Sequence, residues 1–273
     1  MTHDRMILER VRRRLSLELA KHVSVRPAVA LNRRALISFT FDDVPESAFR
    51  NGASILLRRG VRGTFYIAAQ FCGTTDANVR YIDSRQCVEL HQQGHEIGCH
   101  TFSHPNLRRV GRTALAREVN RNRAFFAELD GIPLDNFAYP YGATSLSRRM
   151  QLQGMFRSCR STAPGINTGA FDLGYLRAVE LCHGRIDLQQ VQAWIDAAIE
   201  EGGWLIFLTH DVSDTPTRWG CTPSFFAEAV ARADNSGCEV VTVREALELA
   251  QIVPRNPGMR RLWQRATPPL PAA

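Results

Sequence analysis

Between residues 35 and 250, apolar and β-branched runs alternate regularly with stretches of helical periodicity. Eight runs predict short strands: Ala35–Phe41, Gly63–Ala68, His95–Cys99, Asn136–Tyr139, Met155–Cys159, Tyr175–Glu180, Trp204–Thr209 and Cys238–Thr242. Helices are predicted over 45–59, 83–93, 111–129, 144–153, 187–201, 223–236 and 243–251. Asp187 and Thr222 stand where N-caps belong, and Gly60, Gly94, Gly154, Gly202 and Gly237 stand where helices should end. Repeated strand-then-helix units imply parallel strands with helices outside, in a barrel or an open doubly wound sheet. No internal repeat or shift of composition marks a second domain inside this stretch.

The flanks differ. Residues 5–22 predict a helix with Leu8, Val11, Leu15 and Leu19 on one stripe and arginines mostly elsewhere. Such a basic amphipathic helix suits either packing on the domain or peripheral contact with an anionic membrane face. The segment after residue 250 is rich in Pro and Arg and reads as a tail. Three regions follow: a basic helical extension over 1–34, a barrel over 35–250 and a tail over 251–273.

Charge sharpens this division. The chain of 273 residues carries 34 basic and 27 acidic side chains, a net charge of +7. Residues 1–34 hold +6 and residues 251–273 hold +4, leaving −3 for the middle. A nucleic-acid-binding body would carry its basic footprint on the folded domain, so no nucleic-acid partner is expected. Seven scattered cysteines without a CxxC pair suit reduced thiols, and the charged N-terminus lacks the apolar core of a signal peptide. Both point to a cytoplasmic address, with the inner membrane face as a peripheral site.

The reactive residues follow the strands. Asp42 and Asp43 come after the first, His100 and His104 after the third, Tyr141 after the fourth, and His210 with Asp211 after the seventh. In parallel α/β folds the loops after strands converge on one face and build the site. Two imidazoles and a carboxylate supply three ligands for a divalent cation with a position left for water. The second carboxylate then serves as the base. Taken singly these signals are weak: an HxxxH is common, and Asp-Asp before Val-Pro is also a turn signature.

In combination they resemble the polysaccharide deacetylases of carbohydrate esterase family 4, the NodB-homology domain. The motifs stand as Thr40-Phe41-Asp42-Asp43, Gly94-His95-Glu96-Ile97-Gly98-Cys99-His100-Thr101-Phe102-Ser103-His104-Pro105, Tyr139-Pro140-Tyr141-Gly142 and Leu208-Thr209-His210. The resemblance implies a distorted (β/α) barrel of about seven to eight parallel strands. It also implies metal-dependent removal of an acetyl or other acyl group from an N-acetylated carbohydrate, with zinc as the expected ion. By the same resemblance Asp43, His100 and His104 are metal ligands, Asp42 is the base, His210 is the acid, and the Tyr141 backbone N–H is an oxyanion donor. Trp219 is a candidate sugar platform or a packed loop anchor.

Two features depart from the family's pattern. The third motif's arginine, which holds the catalytic Asp, is replaced by Ala138, so another strand must supply one; Arg177 is the first candidate and Arg160 the second. The Asp-Trp element that buttresses the catalytic His is missing, and Asp172 or Asp211 is the candidate replacement, with loop capping the alternative for Asp211. A cytoplasmic address favours an oligosaccharide or lipid-linked intermediate as substrate. The alternatives are hydrolysis of a small cyclic amide or imide, and a non-catalytic sugar-binding barrel.

Overall fold

The computed structural model describes residues 23–255. The helix expected over 5–22 and all of the tail beyond residue 255 lie outside the described residues. Eight parallel strands form the main sheet: β1 Leu36–Asp42, β2 Thr64–Ile67, β3 Glu96–Cys99, β4 Asn136–Ala138, β5 Ser158–Arg160, β6 Val179–Glu180, β7 Trp204–Thr209 and β8 Glu239–Val240. Their order is β6-β7-β1-β2-β3-β4-β5, with β8 pairing the start of β1. Leu176, just ahead of β6, exchanges backbone hydrogen bonds with Cys159 and Ser161 around β5, while β6 pairs with β7. The two ends of the path therefore meet, and the sheet curls into the expected distorted barrel.

Among the described residues seven helices cover the outside: α1 Ser54–Arg58, entered through a π-helical turn at Ala48–Ala53, α2 Ser84–Gln92, α3 Arg112–Asp130, α4 Leu146–Leu152, α5 Leu188–Glu201, α6 Pro223–Asn235 and α7 Val243–Leu249. Asp83, Asp187 and Thr242 form reciprocal capping boxes with Gln86, Gln190 and Glu245. Thr222 caps α6 through the Phe225 N–H. Gly202 closes α5 in the left-handed conformation expected of it, whereas Gly154 has no positive φ. No described helix is long and apolar enough to cross a membrane.

Strand alternation sorts the core. Ile37, Phe39 and Phe41 of β1 face the helices, where Phe39 and Phe41 pack on Phe207, Phe65 and Phe226 at centroid separations of 4.4–5.5 Å. Each such buried ring contributes about 1.5–3 kcal/mol. The even-numbered positions face the barrel interior, and many are polar: Ser38, Thr40 and Asp42, then Thr64, Glu96, Asn136, Ser158 and Arg160. A small antiparallel sheet, Pro27–Ala30 between Ala170–Asp172 and Ile252–Pro254, joins residues on both sides of the 35–250 stretch.

Candidate functional site

β1 delivers Asp42 and Asp43 to the C-terminal rim, β3 delivers His100, and the turn after it brings back His104. Asp43 Oδ1 lies 3.7 Å from His100 Nε2 and 3.3 Å from His104 Nε2. The ligand atoms of these three residues all fall within 4.8 Å of one another. A tetrahedral ion with bonds of about 2.0–2.1 Å sets its ligand atoms roughly 3.4 Å apart, close to both distances. Asp43 Oδ1 is also buried without a hydrogen-bond partner. A buried carboxylate oxygen facing two imidazole nitrogens fits a divalent cation.

Backbone strain concentrates here. Asp43, Val44, Thr101, His104 and Tyr141 have φ between 52° and 64°, five of the eight non-glycine residues with positive φ among the described residues. β-branched Val44 and Thr101 are poorly suited to that region, so the surrounding structure must hold them there. Part of the restraint is Glu118 of α3, whose carboxylate accepts from the Phe102 and Ser103 N–H groups and the Ser103 hydroxyl. His100 Nδ1 lies 2.9 Å from the Ala138 carbonyl, leaving Nε2 for the site.

Asp42 is buried beneath the cluster, where the Arg160 guanidinium donates to Oδ1. Arg160 is itself fully buried and lies over the Tyr66 ring, 5.1 Å from its centroid. Gly98 makes room for that ring: a Cβ there would stand 2.4 Å from Tyr66 Cδ1. Across the barrel His210 stands beside Trp219, with ring centroids 6.0 Å apart. On the other flank Tyr141 lies against His104 at 4.4 Å. Tyr141 is 69% exposed and Trp219 36% exposed, so two aromatic surfaces border the cluster.

Residues 32–154 match the family model for polysaccharide deacetylase. Over that stretch the chain is similar to the polysaccharide deacetylases. A chitin deacetylase of Arthroderma benhamiae is 30% identical over 110 residues, 40% of this chain but 28% of that protein, so the chain spans well under two thirds of this relative. Among solved structures, the chitin deacetylase of the fungal pathogen Colletotrichum lindemuthianum superposes with a TM-score of 0.56 at 18% identity, covering 80% of this chain and 89% of the other. A CE4 family pseudoenzyme from Bacillus anthracis superposes equally well, at 0.56 and 14% identity over 80% and 67%. At such identities the shared feature is the fold.

Against the polysaccharide deacetylase pattern, the arginine that faces Asp42 is Arg160, and Arg177 is corrected. Arg177 lies between buried Leu176 and Ala178, so alternation turns its side chain outward, where it donates to the Pro164 carbonyl. Neither proposed buttress reaches His210. Asp172 ties the Val25 and Arg26 N–H groups to the Arg149 guanidinium by the small antiparallel sheet. Asp211 caps its own loop, accepting from the Thr217 N–H and hydroxyl. His210 Nδ1 has no hydrogen-bond partner among the described residues. The Arg185 and Arg218 guanidinium carbons each lie 4.5 Å from the Trp219 ring centroid.

Two neighbours of the cluster carry no sequence signal. Phe71 packs on His104 at 5.6 Å and stacks on Tyr81 at 4.9 Å, and Tyr81 bridges to Pro45 beside the Asp pair.

The electrostatics divide the carboxylates. Burial raises the Asp42 carboxyl, but the Arg160 guanidinium and the nearby imidazoles outweigh it and hold it below the usual carboxylate range. Burial, with the Asp42 charge adding, pushes Asp43 up to about 7. Burial lowers His100 to about 4 and His104 to about 3, so both are neutral, ligand-competent imidazoles at neutral pH. His210 is also lowered, chiefly by burial.

Proposed function

We propose that the chain is a metal-dependent hydrolase that removes an acetyl group from an N-acetylated carbohydrate. The observation that carries the reading is the pairing of buried, arginine-held Asp42 with the Asp43–His100–His104 cluster beside it. Asp43, His100 and His104 would hold a divalent cation, with zinc the expected ion. Such an ion, when bound, supplies Lewis-acid polarisation of the acyl carbonyl and lowers the pKa of water.

The remaining work falls to the chain. Asp42, kept ionised by Arg160, accepts the proton of the attacking water at a carboxylate oxygen. His210 is neutral at rest, so it acts as acid only after a proton reaches it, and it then passes that proton to the departing amine nitrogen. Tyr141, fixed at φ 59°, presents its backbone N–H as the donor for the developing oxyanion. The exposed rings of Tyr141 and Trp219 border an open face, which suits an oligosaccharide or lipid-linked sugar better than a small cyclic amide. A decayed, purely sugar-binding barrel would be expected to lose the base, a ligand or the acid, and this chain keeps all five residues. The charged flanks would suit an enzyme working at the cytoplasmic face of a membrane.

The test couples metal content to acetate release from N-acetylglucosamine oligomers, in wild type and His104→Ala, with and without a chelator. About one metal per chain, with acetate release lost on mutation and on chelation, is the expected result. Bound metal without acetate release would remove the substrate assignment, and wild type that takes up no divalent ion would overturn the mechanism.

A further inference from the structure

Cys72 and Cys87 bring their sulfurs to 3.8 Å, with the chain between them forming a closed excursion. Cys72 follows the 3-10 turn Ala69–Phe71, and Cys87 lies in the first turns of α2. A short hairpin separates them, pairing Thr75–Asp76 with Val79–Arg80 around Ala77 and Asn78, both at positive φ. Its base is pinned by Gly73 N–H to Ile82 O and Tyr81 N–H to Thr74 O, and the start of α2 by the Asp83–Gln86 capping box. Both cysteines thus sit on fixed backbone, and the sulfurs have only to close from van der Waals contact to about 2.05 Å. Cys72 is also the one cysteine of the seven that is not buried.

We infer that Cys72 and Cys87 are a peroxide-responsive thiol pair that closes into an intrachain disulfide beside the site. Cys72, the less buried of the two, attacks hydrogen peroxide, cleaving its O–O bond to give a sulfenic acid and one water. The Cys87 sulfur then displaces the hydroxyl from Cys72 sulfur, forming the S–S bond and releasing a second water. Two thiols lose two electrons and two protons, and one peroxide is reduced to two waters. The position gives the bond a consequence. Phe71, the residue before Cys72, packs on His104, and Tyr81, inside the closed loop, bridges to Pro45. The disulfide would tie both walls of the Asp43 and His104 turns to α2. The pair stands whether or not the chain is a deacetylase.

The experiment treats the full chain with hydrogen peroxide under native conditions, blocks the remaining thiols, and maps peptides without reduction. The expected result is a fall from seven titratable thiols to five, a mass loss of about 2 Da, and a linked peptide joining Cys72 to Cys87. Trypsin cleavage after exposed Arg80 should be slower in the oxidised protein and recover with dithiothreitol. Cys72→Ser and Cys87→Ala, each checked for a native melting transition, should both abolish the cross-link. Seven thiols surviving peroxide, Cys72 advancing to sulfinic acid without a cross-link, or a cross-link persisting in either variant would each overturn the inference.

Discussion

The barrel interior contains two polar regions, and they are finished differently. Towards the N-terminal ends of the strands, both Glu96 oxygens are satisfied: Oε1 accepts from Asn136 Nδ2, and Oε2 accepts from the Thr64 hydroxyl and the Arg244 N–H. Ser158 donates to Asn136, and Thr64 accepts from Val243. Towards the C-terminal ends, Asp43 Oδ1, Tyr66 OH, Arg160 Nε and His210 Nδ1 are buried without partners, four of the seven such atoms among the described residues. Buried polar groups are almost always paired. The satisfied Glu96 network ties β2, β3, β4 and β5 to α7, whereas the unpartnered atoms at the other end gather around the strained loops of the proposed site. The same kind of residue, a buried acid on the inner face of a strand, is structural in one layer and, in the proposed reading, chemical in the other.

The largest effect that separates the layers should come from Asp42→Asn. It removes the proposed base while leaving Asp43, His100 and His104 in place. Acetate release should fall by about 10²–10⁴-fold, the range for a positioned acid or base, with metal content unchanged. A variant that keeps more than a tenth of wild-type turnover would show that Asp42 is not the base.

Arg160→Leu should come next and act on both stability and chemistry. It strands a buried carboxylate, and removing one partner of a buried ion pair costs about 3–5 kcal/mol, readable by chemical denaturation. In whatever folds, Asp42 loses the charge that opposes its burial, so its carboxyl rises and the acidic limb of the pH–rate profile should move to higher pH. Arg177→Ala is the control: an exposed residue away from Asp42 should change stability within about 0.5 kcal/mol and leave the profile in place.

Glu96→Gln addresses the completed layer. Its new amide group must face a donor, either Asn136 Nδ2 or the Thr64 and Arg244 pair, and an unmade buried hydrogen bond costs about 1–3 kcal/mol. Denaturation should show that loss while turnover per folded molecule stays at the wild-type level. A loss of turnover without a loss of stability would place Glu96 in the chemistry and dissolve the contrast between the layers.

Much of this was legible in the sequence because the local signals agree. All eight expected strands appear as barrel strands, and capping residues such as Asp187 and Thr222 mark real helix starts. Strand-end placement alone singles out Asp42, Asp43, His100, His104 and His210. The arginine was misread through one residue of boundary. Ending the fifth strand at Cys159 left Arg160 outside it, although the alternation of Ser158 and Arg160 carries the guanidinium inward, while the same alternation turns Arg177 outward. The small antiparallel sheet has strands of only three or four residues, too short for any periodicity to show. The walls formed by Phe71 and Tyr81, and the Glu118 clasp, depend on contacts between distant segments that no local pattern encodes.

The smallest effect is also the most specific to the unfinished layer. Asp43, raised to about 7, is protonated over much of the acidic range, whereas His100 and His104, lowered to about 4 and 3, are neutral above pH 5. Cation binding between pH 5 and 7 should therefore displace one proton, and affinity should fall roughly tenfold for each unit of pH below 7 and level off above it. Ordinary histidines would add their own protons and steepen that slope. Stability has a matching sign. A carboxyl raised in the folded state supports the metal-free fold below its unfolded value of 3.8, and that support is lost as pH climbs through about 7. The lowered histidines support the fold above their unfolded value of 6.5, and that support is lost as pH falls towards 4 and 3. A saturating cation should abolish the alkaline loss, because the ion takes the place of the proton on Asp43. Calorimetric titrations at pH 5, 6, 7 and 8, paired with melting curves with and without the ion, read both quantities. A slope of two or more protons would show that the histidines are not held neutral, and the alkaline loss persisting with ion bound would remove Asp43 from the ligand set.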